Sequence, residues 1–423
     1  MRKTIRKNIL SFVPMLMVII LLAGAPAQAA VLDYYLQAGV TKVAAGAYNA
    51  AAPQVPNENI LMWGYALCTA SFGSCGSVTV PGPVLIANEG DTLRIHLKNN
   101  LTTAAGTGAG FASMITEPTS LIIPGQTTTL TPTWVAVNQY GGVTGISPSN
   151  GAFRQPGDVT SRVRSFTTET PADNSTVTTY VWSGLKPGTY LYESGTHLAV
   201  QVQMGLYGAL KVYPTQTPVT GINTDNATAT LPANPQAYDD ASSAFKSEVT
   251  LVYSEIDQEL HYSIASGLYG TPPPPPPAVA VRGQRTSTSL NQPKFFLVNG
   301  SPFISGTAAA PNPAALASGT HGQTTLIRFL NAGIKEKTPT VLNNFMTLVA
   351  EDGNPYTYQL NNVAHYKARQ QYECLLPAGK TIDALISPAA AGNLPVFDRS
   401  LNMTNAAFTA GGMGGMLIYL SFN

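Results

Sequence analysis

Charge is scarce in this 423-residue chain: 11% of it is Asp, Glu, Lys or Arg, and 23 basic side chains nearly cancel 22 acidic ones. No broad field is therefore available to gather nucleic acid or an anionic membrane surface. Cysteine and histidine are scarcer still, with three and five residues. There is no Gly-rich phosphate loop, Gly-x-Ser-x-Gly elbow, His-Glu-x-x-His helix or Cys-x-x-Cys pair, so the chemistries that need those spacings have no signature here. Helical periodicity is rare, and beyond the first 30 residues no apolar run is long enough to span a bilayer.

What the chain does have is apolar material, at 44% of its residues, which is ample for packed cores in more than one domain. It opens on "MRKTIRKNILSFVPMLMVIILLAGAPAQAA", where Arg2, Lys3, Arg6 and Lys7 precede an apolar run and Ala27 and Ala29 follow it. That order is the pattern of a secretory signal over residues 1–29, and it predicts a protein exported to the periplasm, the cell surface or the medium. An oxidising compartment could then staple Cys68 to Cys75 across "CTASFGSC". Cys374, in the strand-like "QYECLLPAGK", reads as an unpaired buried thiol.

Short β-branched and aromatic runs such as "DTLRIHLKNNL", "TTYVWSGL", "EVTLVYSEI", "TTLIRFLNAG" and "GMLIYLSF" recur between clusters of Gly, Pro, Asn and Asp. This spacing predicts an all-β protein of antiparallel sandwiches. A first domain is expected over 31–214 and a second over 245–423. The aperiodic, Thr- and Pro-rich stretch 215–244 reads as a connection wrapped along the surface. Six consecutive prolines after Thr271 must form a stiff polyproline II loop, because proline donates no ladder hydrogen bond. In "AEDGNPY", Asp352-Gly353 supplies hairpin geometry.

"PGPVLIANEGDTLRIHLKNNLT", from Pro81 to Thr102, resembles the opening of the first cupredoxin domain of multicopper oxidases. "LKPGTYLYESGTH" and "VQMGLYGALKVYP" resemble that domain's closing strands. "TLIRFLNAG", "MTLVAEDGNPY", "LLPAGKTIDALISP" and "GGMLIYL" resemble the second domain, in the same order. The resemblance implies two cupredoxin-like Greek-key β-sandwiches. In that family two His-x-His pairs of the first domain help to hold a three-copper centre that reduces dioxygen, and a later third domain brings a His-Cys-His blue copper site. Here the first pair would fall at Ile122 and Pro124 in "SLIIPGQ", and the second at Glu193 and Gly195 in "YESG". None of the three cysteines has the His-Cys-His surroundings, the resemblance extends over two domains so that a third is expected to be absent, and five histidines fall short of the roughly ten that four coppers would take.

The expectation is an exported multicopper-oxidase-like protein without the usual copper ligands: no catalytic or metal-binding residue, no cofactor, and a structural or binding role in which sheet surfaces meet a protein partner or a second copy. Copper enters only under the alternative, an oxidoreductase for phenols or metal ions completed by a third domain or another chain, or a weak copper carrier using His197 and Met204. The blander expectation for that pair is an imidazole bonded to backbone and a methionine filling core. His96 alternates along "RIHLKN" and is expected to face solvent or a neighbouring strand. His261, His321 and His365 read as surface or loop residues. Glu255 and Asp257 in "SEID" have the alternation to share a sheet face as an acid/base or cation pair, with a hydrogen-bonded interdomain contact as the simpler reading.

Overall fold

A computed structural model describes residues 29–44, 59–101, 117–136, 161–225, 228–266, 269, 288–289, 291–303, 315–360, 363–403 and 415–423. The signal-like segment and the proline run lie outside these residues. The N-terminal half carries β1 (Val31–Ala44), β2 (Asn59–Cys68), β3 (Leu85–Asn88), β4 (Thr92–Asn99), β5 (Thr133–Ala136), β6 (Ser161–Ser165), β7 (Val177–Ser183), β8 (Gly188–Glu193), the helix α1 (Leu198–Met204) and β9 (Tyr207–Tyr213). A ribbon of β10 (Thr220–Asn223) and β11 (Thr228–Thr230) follows. The C-terminal half contains β12 (Ser247–Ile256), the helix α2 (Gln258–Ala265), β13 (Phe295–Val298), β14 (Ala315–Gly319), β15 (Thr325–Asn331), β16 (Pro339–Val341), β17 (Met346–Glu351), β18 (Asn354–Pro355), β19 (Thr357–Leu360), β20 (Val363–Tyr366), β21 (Arg369–Gln371), β22 (Thr381–Ile386), β23 (Gly392–Asp398) and β24 (Leu417–Phe422).

Each half is a two-sheet sandwich, and the two halves repeat one topology. In the first, a sheet of order β2-β1-β4-β7 faces a sheet of order β3-β9-β8; in the second, β13-β12-β15-β22-β17-β18 faces β14-β24-β23-β16. The correspondence extends to strand direction. β1 pairs β2 antiparallel and β4 parallel, as β12 pairs β13 antiparallel and β15 parallel. β3 runs parallel to β9 and β14 parallel to β24. This is the cupredoxin-like, mostly β architecture that the sequence predicts.

The side-chain patterns explain which faces close. β4 alternates strictly, with Leu93, Ile95 and Leu97 buried while Arg94, His96 and Lys98 point outward, so one face is core and the other is wet. Every residue of β15 and of β22 is buried, as expected of strands covered on both faces. Their second cover is the other half of the molecule. One cluster joins Val80, Leu191, Tyr207 and Ala209 to Val252, Ile256, Leu297 and Leu330, and another joins Ile86 and Tyr213 to Leu326, Val349 and Leu385.

The stretch 215–244 does more than run along the surface. Val219, Ala237 and Tyr238 are buried in the second of those clusters, and the Tyr238 hydroxyl donates to Asp383 Oδ2 at 2.6 Å. Its Thr and Pro content hid these anchors, which sit singly among polar neighbours. Cys68 and Cys75 form a disulfide that closes a short loop at the end of β2. Cys374 is free and buried, and it lies just outside the named strands, with its backbone N–H donating to the Pro339 carbonyl. Burial pushes its thiol up to about 12, which keeps it protonated and unreactive.

Candidate functional site

The four positions that the resemblance assigns to imidazoles lie close together. Ile122 and Glu193 exchange backbone hydrogen bonds of 2.9 and 3.0 Å as an isolated antiparallel bridge, so their side chains share one face. Gly195 is bound to the same segment through its N–H and the Ser120 carbonyl, at 3.4 Å. A Cβ placed on Gly195 would come within 2.8 Å of Ile122 Cγ2 and 2.9 Å of Ser120 Oγ, so an imidazole there would require neighbouring atoms to move.

Below this face, hydroxyls fix the turn that follows β8. Ser120 Oγ lies 2.9 Å from Ser165 Oγ and 3.0 Å from Thr196 Oγ1. Thr119 and Ser194 both donate to Gln201 Oε1, at 2.8 and 2.6 Å, and Gln201 Nε2 donates to the Pro118 carbonyl at 2.8 Å. These groups are fully buried and satisfy one another, which makes the "ESGTH" turn a built element.

This face does not suit copper. Isoleucine, proline and glycine side chains offer no donor atom, and a lone carboxyl is a poor substitute for paired imidazoles. Burial raises the Glu193 carboxyl to about 7, and its side chain makes no hydrogen bond or ion pair within the described residues, so it holds its proton at mildly acidic pH. Among the described residues, no three His, Cys, Asp or Glu side chains converge in a group able to hold a metal ion.

The histidines are dispersed. His96 stacks on Tyr35 with ring centroids 4.5 Å apart; its Nε2 lies 2.7 Å from Asp33 Oδ1 and its Nδ1 2.9 Å from Thr179 Oγ1, so it faces neighbouring strands. His197 caps α1 in the left-handed region, at φ 41°, with its N–H bonded to the Arg164 carbonyl and its ring 3.7 Å from Glu117. Met204 ends the same helix inside the first core, two turns and roughly 10 Å further along the axis, so the two side chains do not form a joint site. His321 contacts the Asn423 carbonyl. His365 pairs with Tyr358 in the backbone of β20 and β19, and its side chain lies outside the described residues.

His261 corrects the expectation of a surface residue. It lies on α2, 1% exposed, with Nδ1 at 2.7 Å from the Leu61 carbonyl, and burial lowers its pKa so that it stays neutral. It was read as exposed because the helix was not foreseen: α2 is short, and its apolar face packs against β2 of the other half.

The acid/base reading of Glu255 and Asp257 also fails on geometry. Glu255 accepts from the backbone N–H groups of Ile334 and Lys335, at 2.7 and 2.8 Å, and lies 3.0 Å from Lys337 Nζ. Asp257 instead ends the strand and caps α2, accepting from Glu259 N and Leu260 N. The hydrogen bonds and ion pair of Glu255 stay within the C-terminal half, so for Glu255 the hydrogen-bonded interdomain contact is not what the structure places there.

Sequence reasoning missed a buried polar network between the halves. Arg328 of β15, fully buried, donates from Nε to Glu248 Oε2 at 3.0 Å and from Nη1 to Thr189 Oγ1 at 2.8 Å, and Nη1 lies 3.7 Å from Asp383 Oδ2. Thr189 of β8 donates to Asp383 Oδ1 at 2.6 Å, while Lys211 and Tyr213 of β9 donate to Glu248 Oε1. Burial opposes the charge on Glu248, yet Arg328 and Lys211 hold it down at about 2. For Asp383 burial prevails and the carboxyl is raised. A signal was present: single charges inside the apolar strands "TLIRFLN" and "TIDALI" require buried partners.

Comparison with known proteins agrees with the architecture. The multicopper oxidase family model matches residues 275–407. A copper nitrite reductase from Nitrosomonas europaea superposes with a TM-score of 0.53 at 16% identity, covering 93% of this chain and 94% of that one. A blue copper oxidase from Nitrosomonas europaea gives 0.51 at 13%, covering 93% and 86%. A laccase from Botrytis aclada gives 0.51 at 18%, covering 94% of this chain and 54% of its own. No curated protein matches. At such identities the structural likeness shows the fold, and together with the family match it supports a multicopper oxidase family relationship.

Proposed function

We propose that this relative of the multicopper oxidases is an exported scaffold or binding protein, which keeps the family's paired sandwiches and does not assemble its copper centres. The observation that supports this is the face formed by Ile122, Pro124, Glu193 and Gly195, where the family's imidazoles would stand and where one protonatable carboxyl is the only possible donor side chain. A superfold does not carry its chemistry once the site residues are replaced. The first segment and the Cys68–Cys75 disulfide favour an oxidising, exported setting, and no helix among the described residues is long and apolar enough to cross a membrane. Sheet surfaces remain as the means of contact with a partner or a second copy.

The test is metal analysis of the purified full chain after incubation with excess Cu(II) and extensive dialysis, combined with absorption and electron paramagnetic resonance spectra. Copper well below one per chain, with no blue or near-ultraviolet charge-transfer band, is the expected result. Near-stoichiometric copper with such a band would overturn the reading and favour an oxidoreductase of phenols or metal ions.

A further inference from the structure

A groove of about 620 Å³ opens along the outer edge of β7, where the segment 127–131, the residues after β6 and the edge strand itself meet. Its size falls within the roughly 300–1,000 Å³ of small-ligand sites. The lining is chemically uniform: eight threonines and Ser183, with Leu121, Val181, Tyr180 and Trp182 as the remainder and no charged side chain.

Each threonine presents one donor, two acceptor lone pairs and a methyl group. Several of these hydroxyls are free to bind: Thr127, Thr129 and Thr131 have no side-chain hydrogen bond among the described residues. Two others are oriented. Thr128 Oγ1 donates to the Val181 carbonyl at 2.6 Å, which leaves its lone pairs outward. Thr179 Oγ1 lies 2.9 Å from His96 Nδ1, and His96 Nε2 lies 2.7 Å from Asp33 Oδ1, so this hydroxyl is held in place by the chain Thr179–His96–Asp33. At the base, Trp182 is 1% exposed and its indole N–H has no partner among the described residues.

From this arrangement we propose that the groove is a binding site for a neutral, polyhydroxylated chain, an uncharged oligosaccharide. Such a ligand alternates C–H faces with hydroxyls that both donate and accept, as threonine does. A charged glycan would lose water without meeting a counter-charge. A purely apolar ligand would strip water from a dense set of hydroxyls without replacing it. A peptide adding to the β7 edge would have to share the Val181 carbonyl with the Thr128 hydroxyl, which weakens that mode of pairing. The inference goes beyond the scaffold reading and holds with or without copper.

The experiment is calorimetric titration of the full chain with cellohexaose, xylohexaose and mannohexaose, using hexagalacturonate and an unstructured hexapeptide as comparators. At least one neutral hexasaccharide is expected to bind in preference to both comparators. Thr129→Val and Thr131→Val should each weaken it about five- to tenfold, one hydrogen bond's contribution, with unchanged melting temperatures. Thr129→Ser and Thr131→Ser should retain binding. Absence of binding by all three neutral sugars at millimolar concentration, equal or tighter binding of hexagalacturonate or the peptide, or wild-type affinity in both valine variants would each overturn the proposal.

Discussion

Glu193→Gln separates a carboxyl that serves nothing from one that serves a cation. In an open chain the carboxyl titrates near 4.5, and in the fold burial moves it to about 7, with no counter-charge paired to it among the described residues. Because the folded value is the higher one, the native state gives up stability as pH rises from 4.5 to 7, and the penalty is complete above 7. That interval corresponds to about 3 kcal/mol, which the side chain's residual exposure trims to about 2. Glutamine keeps the shape and never ionises. Urea unfolding at pH 8 should therefore show the variant more stable by about 2 kcal/mol, and at pH 5 the gain should fall below about 1 kcal/mol. A glutamine variant that is neutral or destabilised at pH 8, or equally stabilised at both pH values, would refute the reasoning. It would mean that the carboxylate has a partner, such as a bound cation, and that the face around Ile122 and Gly195 still works as a site.

Two further outcomes test the frame itself. Arg328→Met removes the cation shared by Glu248 and Asp383 in a fully buried position, and should cost about 3–5 kcal/mol in chemical denaturation at pH 7; a loss under about 1 kcal/mol would show that the network contributes little. Asp257→Ala removes the cap of α2 and the acceptor for the Gln292 N–H, costing about 1–2 kcal/mol, while added calcium leaves the wild-type midpoint unchanged; a calcium-dependent rise would restore the cation reading of the "SEID" carboxylates.

The parts of the fold legible in the sequence were those set by neighbours along the chain. Strict alternation in "TLRIHLKN" marked β4 and its wet face, and Asp352-Gly353 marked the β17–β18 hairpin, where both residues take positive φ, 49° and 71°. A Cβ on Gly353 would also collide with the Tyr190 side chain, so that position needs glycine for space as well as for conformation. The resemblance placed Ile122 and Glu193 at corresponding positions of the two motifs, and an isolated bridge joins the backbones of these two residues. What escaped was set by contacts distant in sequence. His261 is buried because α2 packs on β2, some 200 residues earlier, and the buried Tyr238 hydroxyl finds its hydrogen-bond acceptor in Asp383, 145 residues later. Neither has an informative pattern in its own neighbourhood.

The same distribution separates the frame from the face formed by Ile122, Pro124, Glu193 and Gly195. In the described structure the halves are joined by apolar clusters around Leu191, Tyr207, Leu297 and Leu330, by the Tyr238 anchor and by the Arg328 network, none of which includes Ile122, Pro124 or Gly195. Ile122 and Glu193 contribute to the frame through backbone hydrogen bonds, which any side chain short of proline permits. Gly195 is packed so closely that a larger residue would be resisted, and Ser120, Ser165 and Thr196 beneath it are already mutually satisfied. Restoring histidine at Glu193 alone should therefore leave the fold intact, whereas histidine at Gly195 must displace Ile122 and the Ser120 hydroxyl. The barrier to placing an imidazole on this face lies in that second step, in the close packing around Gly195.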